Sequence, residues 1–229
     1  MKHRKIWKIG KKAEVQKHVF WQALLIAIFI FVSGMLLGYL LELNRTSKII
    51  SFYQEAEVSL LDVNLQEQIL DLNTFDCEQA IEEMIKFADK TYNEADILEK
   101  YSQSSKLTKG IVFQYKKYAL LRTILWANSM KIKEKCANAP HTVIYFFEFD
   151  SEDSNMLAEQ RTFSNYLGEI KKEYSSEIIL IPIAGNFELN SINLLMNTYG
   201  ITRLPSVLID EKYKVEEINQ LENIRNYLK

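Results

Sequence analysis

Between Val19 and Leu41 the chain carries no charged side chain for 23 positions, and the run is rich in Leu, Ile and Phe. At 1.5 Å per residue such a segment makes roughly 35 Å of helix, enough to cross a hydrocarbon core of about 30 Å. Trp21 and Tyr39 sit near its two ends, where amphipathic rings favour the membrane interface. A cleaved signal peptide has a shorter apolar core and small residues before its cut site. Gly38-Tyr39-Leu40-Leu41-Glu42 offers no such site. Residues 19–43 are therefore expected to be an uncleaved single-pass signal anchor, with the lipid bilayer as one partner of the chain.

The charges on either side give the orientation. Residues 1–18 hold seven basic side chains (Lys2, Arg4, Lys5, Lys8, Lys11, Lys12, Lys17) and one acid, Glu14. The remaining residues carry 21 basic and 29 acidic side chains, a balance of −8. Cationic flanks stay cytoplasmic, so residues 1–18 are expected inside and everything after the span on the extracytoplasmic side of the cytoplasmic membrane. An acidic body repels phosphate and argues against a nucleic-acid partner. Within the span, Gly34-Met35-Leu36-Leu37-Gly38 is a G-x-x-x-G motif with Ala27 one heptad earlier. Small residues at that spacing let two helices approach, so Ala27, Gly34 and Gly38 form a weak candidate contact for a homodimer. Glycine is common in membrane helices, so chance explains such a motif more often than dimerisation does.

Residues 44–138 contain no proline and one glycine, Gly110, so long helices dominate. Ile49, Tyr53, Ala56, Leu60, Val63 and Leu70 fall on a coiled-coil-like 4-3-4-3 spacing, broken at Glu67. Asn73-Thr74-Phe75-Asp76 predicts a break, with Thr74 or Asp76 capping a second helix through Ile81, Met84, Ile85, Ala88, Tyr92, Ala95 and Leu98. A third begins near Thr108 and carries Ile111, Tyr115, Tyr118, Leu121, Leu125 and Met130. If these two form an antiparallel hairpin turning near 103–107, the chain's two cysteines, Cys77 and Cys136, lie level at its open end. A disulfide there suits an oxidising compartment and would staple the stalk. Two readings compete with the staple. Cys77 and Cys136 could be a working dithiol, with Lys131, Lys133 and Lys135 lowering the pKa of Cys136, or two buried free thiols.

From Pro140 the grammar changes to alternating strands and helices. Val143–Phe149, Glu177–Ile183, Ser206–Asp210 and Lys214–Glu217 read as strands, and Met156–Tyr174, Leu189–Tyr199 and Gln220–Leu228 as helices. The order β-α-β-α-β-β-α predicts a mixed sheet with helices packed on it, over residues 139–229. Tyr199-Gly200-Ile201-Thr202-Arg203-Leu204-Pro205-Ser206 then resembles the segment of the thioredoxin fold in which a turn leads to a cis-proline. The resemblance implies a cis Leu204–Pro205 bond and main-chain groups of Leu204 that pair with an extended substrate. It also implies a peptide-binding groove formed by Asp150, Ser151, Glu152, Asp153 and Ser154 with Arg203, Leu204, Pro205 and Ser206.

The redox Cys-x-x-Cys of that family has no counterpart, because the matching loop reads Asp150-Ser151-Glu152-Asp153-Ser154. Its aspartates and serines suit helix N-capping instead. Glu148, Asp150, Glu152 and Asp153 lack the spacing of a calcium loop, and His3, His18 and His141 are scattered. No metal or cofactor is expected, and no phosphate loop or nucleophile elbow is present. The expected function is binding: a membrane-anchored, redox-inactive thioredoxin-like adaptor or chaperone-like module for an extracytoplasmic polypeptide or membrane protein. The alternatives are a thiol–disulfide oxidoreductase or isomerase using Cys77 and Cys136, and a structural coiled-coil assembly element.

Overall fold

The computed structural model describes residues 12–71, 75–102 and 109–229. The chain divides into two compact units, Met1–Ser51 and Phe52–Lys229. Helix α1 (Lys12–Asp71) runs for 60 residues, and no proline interrupts it. Within it, His18–Leu41 is long and apolar enough to span a membrane. The large apolar side chains of that stretch are all exposed, Phe29 by 73% and Leu41 by 70%. A Cβ added at Gly34 or Gly38 would meet nothing within 4 Å, so the small-residue face is open. The side chains of the 4-3-4-3 series after the span lie outside the described residues.

In the second unit, α2 (Cys77–Ser102) and α3 (Lys109–Lys135) form the hairpin. Asp76 starts α2 by accepting the Glu78 amide at 2.9 Å; Thr74, the other candidate cap, lies outside the described residues. Cys77 and Cys136 are joined in a disulfide with their Cα atoms 5.6 Å apart. Further along, the Thr91 carbonyl accepts from Tyr118 Oη at 2.9 Å and Arg122 Nη2 at 3.2 Å. One helix ascends as the other descends, so the two are antiparallel.

The sheet follows: β1 (His141–Phe147), α4 (Ser154–Tyr174), β2 (Ile178–Ala184), α5 (Asn190–Thr198), β3 (Ser206–Ile209) and β4 (Tyr213–Val215). Four strands lie in the order β2-β1-β3-β4. β1 and β2 are parallel, while β1–β3 and β3–β4 are antiparallel. The apolar run 178–184 predicted a strand buried on both faces, and that is its observed state. The expected last helix is instead a 3₁₀ segment, Ile218–Asn223, running into a short α6 (Ile224–Tyr227). Asn219, Asn223 and Asn226 are poor helix formers and weaken a continuous α-helix there.

Side chains alternate across the sheet into two cores. Val143, Tyr145, Leu180, Val207 and Ile209 meet Phe163, Leu167 and Ile170 of α4 and Leu221, Ile224 and Leu228 of the C-terminal segment. Ile144, Phe146, Ile179, Ile181, Ile183 and Leu208 meet Met84 and Ala88 of α2, Leu125 and Trp126 of α3, and Ile192 of α5. The boundary expected at 138/139 therefore cuts through a single core: the hairpin is a layer of the α/β body and not a stalk apart from it. The reason is coverage. α5 has only nine residues, too little to bury one face of a four-stranded sheet, and the hairpin supplies the missing apolar surface.

Polar contacts lock the same arrangement. The β3–β4 turn carries Asp210 and Glu211 at positive φ, 50° and 57°, as a tight hairpin turn of this hand requires. Its carboxylates gather Lys133 Nζ (2.7 Å to Asp210, 2.9 Å to Glu211), Trp126 Nε1 (2.7 Å to Glu211) and Thr142 Oγ1 (2.8 Å to Glu211). Burial opposes ionisation of Asp210, but hydrogen bonds from Lys133, His141 and the Thr142 amide prevail and hold its carboxyl below the ordinary value.

Candidate functional site

Both segments of the predicted groove lie at one end of the sheet, where the carboxyl end of β1 meets the start of β3 through the Phe146–Ser206 pair. The loop after β1 is built by local hydrogen bonds. Asn186 holds Phe149 twice, to its N–H and its C=O, both at 2.8 Å. Asp150 takes φ 54°, a turn conformation that Asp tolerates better than most residues. Ser151 Oγ accepts the Asp153 amide at 3.3 Å, and Asp153 caps α4 by accepting the Asn155 amide at 2.8 Å. The aspartate and serine therefore serve as helix-start residues, the role their composition suggested. Asp150, Glu152, Asp153 and Ser154 are exposed. No group of three or more His, Cys, Asp or Glu that could hold a metal occurs among the described residues.

On the facing segment, Gly200 turns the chain at φ 64° and its carbonyl accepts Lys214 Nζ at 2.6 Å. Leu204–Pro205 is a cis peptide bond. The Leu204 side chain lies over Gly185, where an added Cβ would come within 3.0 Å of its methyl group, so a larger residue there would have to push the Leu204 side chain aside. Arg203 is half-exposed and pairs with Glu159 of α4 at 2.7 Å. Pro205 and Ser206 are buried. Among the described residues the N–H and C=O of Leu204 enter no backbone hydrogen bond.

A concavity near this end of the sheet does not coincide with that groove. A cavity of about 560 Å³ opens between the hairpin, α4 and the β2 edge. Asp150 and Ser151 border it, whereas Arg203–Ser206 do not, so the predicted groove residues do not share one cavity. Arg122 of α3 lines its wall beside Pro182. The residue is 5% exposed; its guanidinium donates Nη1 to the Pro182 carbonyl at 2.8 Å and stacks on Tyr118 at 4.3 Å. Burial pushes the Arg122 pKa down, against the stabilising presence of Tyr118 and Glu94. Burial likewise pushes the Tyr118 phenol up, with Glu94 adding and Arg122 opposing.

Sequence reasoning missed Arg122. The signal was a cation beside Leu121 and Leu125 on the apolar stripe of α3, which reads identically to a side chain that snorkels to water. The cysteines were placed correctly, and Cys136 is only 5% exposed. Lys133, once a candidate activator of Cys136, is engaged with Asp210 and Glu211.

Comparison with protein-family models, with curated protein sequences and with solved structures finds no match to this chain.

Proposed function

We propose that the chain is a single-pass membrane protein, amino terminus inside, whose extracytoplasmic domain is a redox-inactive thioredoxin-like binding module. The strand order β2-β1-β3-β4, with α4 after β1 and a cis-proline opening β3, supports the thioredoxin-like reading. A basic flank before an apolar span supports the orientation, and a disulfide in the following domain agrees with an oxidising compartment. One observation carries the binding role: the unpaired main-chain N–H and C=O of Leu204 at the end of the sheet. An extended polypeptide satisfies such groups by strand-like pairing. The buried position of Cys136 favours a staple over a catalytic dithiol.

Amide hydrogen exchange of the full chain in nanodiscs tests the reading, with a reduced and alkylated unfolded polypeptide as probe. Exchange at the Leu204 amide should slow on titration, while α4 amides distant from the groove stay unchanged. Saturable binding with unaltered exchange at Leu204 would refute the groove.

A further inference from the structure

Arg122 is a buried cation without a buried counter-charge. Of the five N–H donors of its guanidinium, one reaches the Pro182 carbonyl and one the Thr91 carbonyl, and Nε is buried with no partner. Glu94, the acid whose charge it feels, hydrogen-bonds Tyr118 Oη at 2.7 Å and makes no ion pair with Arg122. Main-chain carbonyls satisfy part of the donor set but do not neutralise the charge. The cavity beside this cation has the volume of a small-molecule site. A train of aromatic rings lines it: Tyr115 lies 4.6 Å from Phe149, and Phe149 lies 4.8 Å from Phe187. Glu148, Asp150 and Arg161 also border the space, Glu148 half-buried and Asp150 and Arg161 exposed, so among these charged groups Arg122 alone is buried. Arg122 is the charge withdrawn from water.

We infer that this cavity is a binding site for a small apolar carboxylate, held by its carboxyl group at Arg122 with its apolar body against Tyr115, Phe149 and Phe187. A carboxylate matches the planar donor fork of a guanidinium and supplies the missing negative charge. The aromatic rings remove the rest of the ligand from water. The site is distinct from the Leu204 groove and does not depend on the peptide-binding proposal.

The test is isothermal titration of the full chain in nanodiscs with 4-phenylbutyrate and octanoate, each against its primary amide. The acids should bind about ten-fold more tightly than the amides, since a charge-assisted pair outweighs a neutral one by about that factor. Arg122→Gln, which keeps an N–H donor near the Pro182 carbonyl, should bring acid and amide to equal affinity. Ser164→Trp places bulk in the cavity from an exposed α4 position; it should weaken acid binding at least about ten-fold with an unchanged melting temperature. This second variant keeps the test decisive if Arg122→Gln does not fold. Equal affinity of acid and amide for the unaltered chain, no saturable binding of either acid, or undiminished binding by folded Ser164→Trp would each overturn the assignment.

Discussion

Arg122 and Lys133 stand about three turns apart on the same face of α3, yet the protein treats the two cations differently. Lys133 meets two carboxylates, Asp210 at 2.7 Å and Glu211 at 2.9 Å, and ties the hairpin to the β3–β4 turn. Arg122 meets only neutral carbonyls and an aromatic face. Around Lys133 the helix is stapled, with the disulfide at Cys136 and Trp126 fully buried nearby. Around Arg122 the structure leaves a cavity. The C-terminal end of α3 is closed by internal pairing, while the middle of the helix keeps a charge that internal pairing does not consume. The contrast separates structure from function on a single helix: a cation given its own counter-ions is spent on the fold.

The closed end can be broken most severely through its covalent tie. Replacing both Cys77 and Cys136 by Ala removes the closure of a long loop, the partners lying 59 positions apart in sequence. The expected loss is about 4 kcal/mol in the chain-entropy account. Urea unfolding of the full chain, followed by tryptophan fluorescence, reads it directly. A loss near zero would mean that core packing alone fixes the hairpin on the sheet. Next in size is Lys133→Met, which strips a partner from two carboxylates whose side chains are only 20% and 16% exposed. Stability should fall by about 2 kcal/mol. Reversal of that loss by the further change Glu211→Gln, in a double-mutant cycle, would tie it to charge pairing.

Much of the closed end was legible in the sequence, and little of the open middle. The break at Asp76, the level placement of Cys77 and Cys136, and the strands around 143–149 and 177–183 follow from spacing and local chemistry. Docking of the hairpin onto the sheet does not. An apolar stripe such as Met84–Ala88 announces that something will be buried without naming the surface that buries it. The composition of α3 held a further clue, because Leu121, Thr123, Leu125, Trp126, Asn128, Ser129 and Ile132 are buried around several sides of the helix. A helix covered on more than one side belongs between layers rather than on a stalk. The cavity was invisible for a related reason: its lining comes from α2, α3, α4, both parallel strands and two loops, and no local pattern joins them. The loop Asp150–Ser154 was read correctly as helix-capping because capping is a local interaction.

Acid should separate the two regions more gently. The folded state holds the Asp210 pKa below its ordinary value through Lys133, His141 and the Thr142 amide, despite burial. A depressed carboxylate contributes stability that is complete above its unfolded pKa, near 3.8. That contribution is lost as pH falls through the lower folded value. Melting temperatures taken downward from about pH 6 should drop more steeply for the unaltered chain than for Asp210→Asn. Parallel curves would show that the turn cluster does not titrate as a unit with the fold.

The smallest expected effect belongs to Arg122→Met. The substitution leaves the Pro182 carbonyl without its side-chain donor, while the Thr91 carbonyl shares the single Tyr118 phenol proton with Glu94. Against that loss stands relief of a desolvated charge that no carboxylate neutralises. These terms oppose one another, so stability should change by about 1 kcal/mol or less. Lys133→Met has no compensating relief, because the charges it strands remain partly buried. The two methionine variants, compared by urea midpoint under the same conditions, place the argument at risk in one measurement. If Arg122→Met costs as much as Lys133→Met, the guanidinium is a structural pin between the hairpin and β2. If it costs far less, the fold does not require that charge, and a cation retained in an aromatic cavity without structural need is there for an anion from outside.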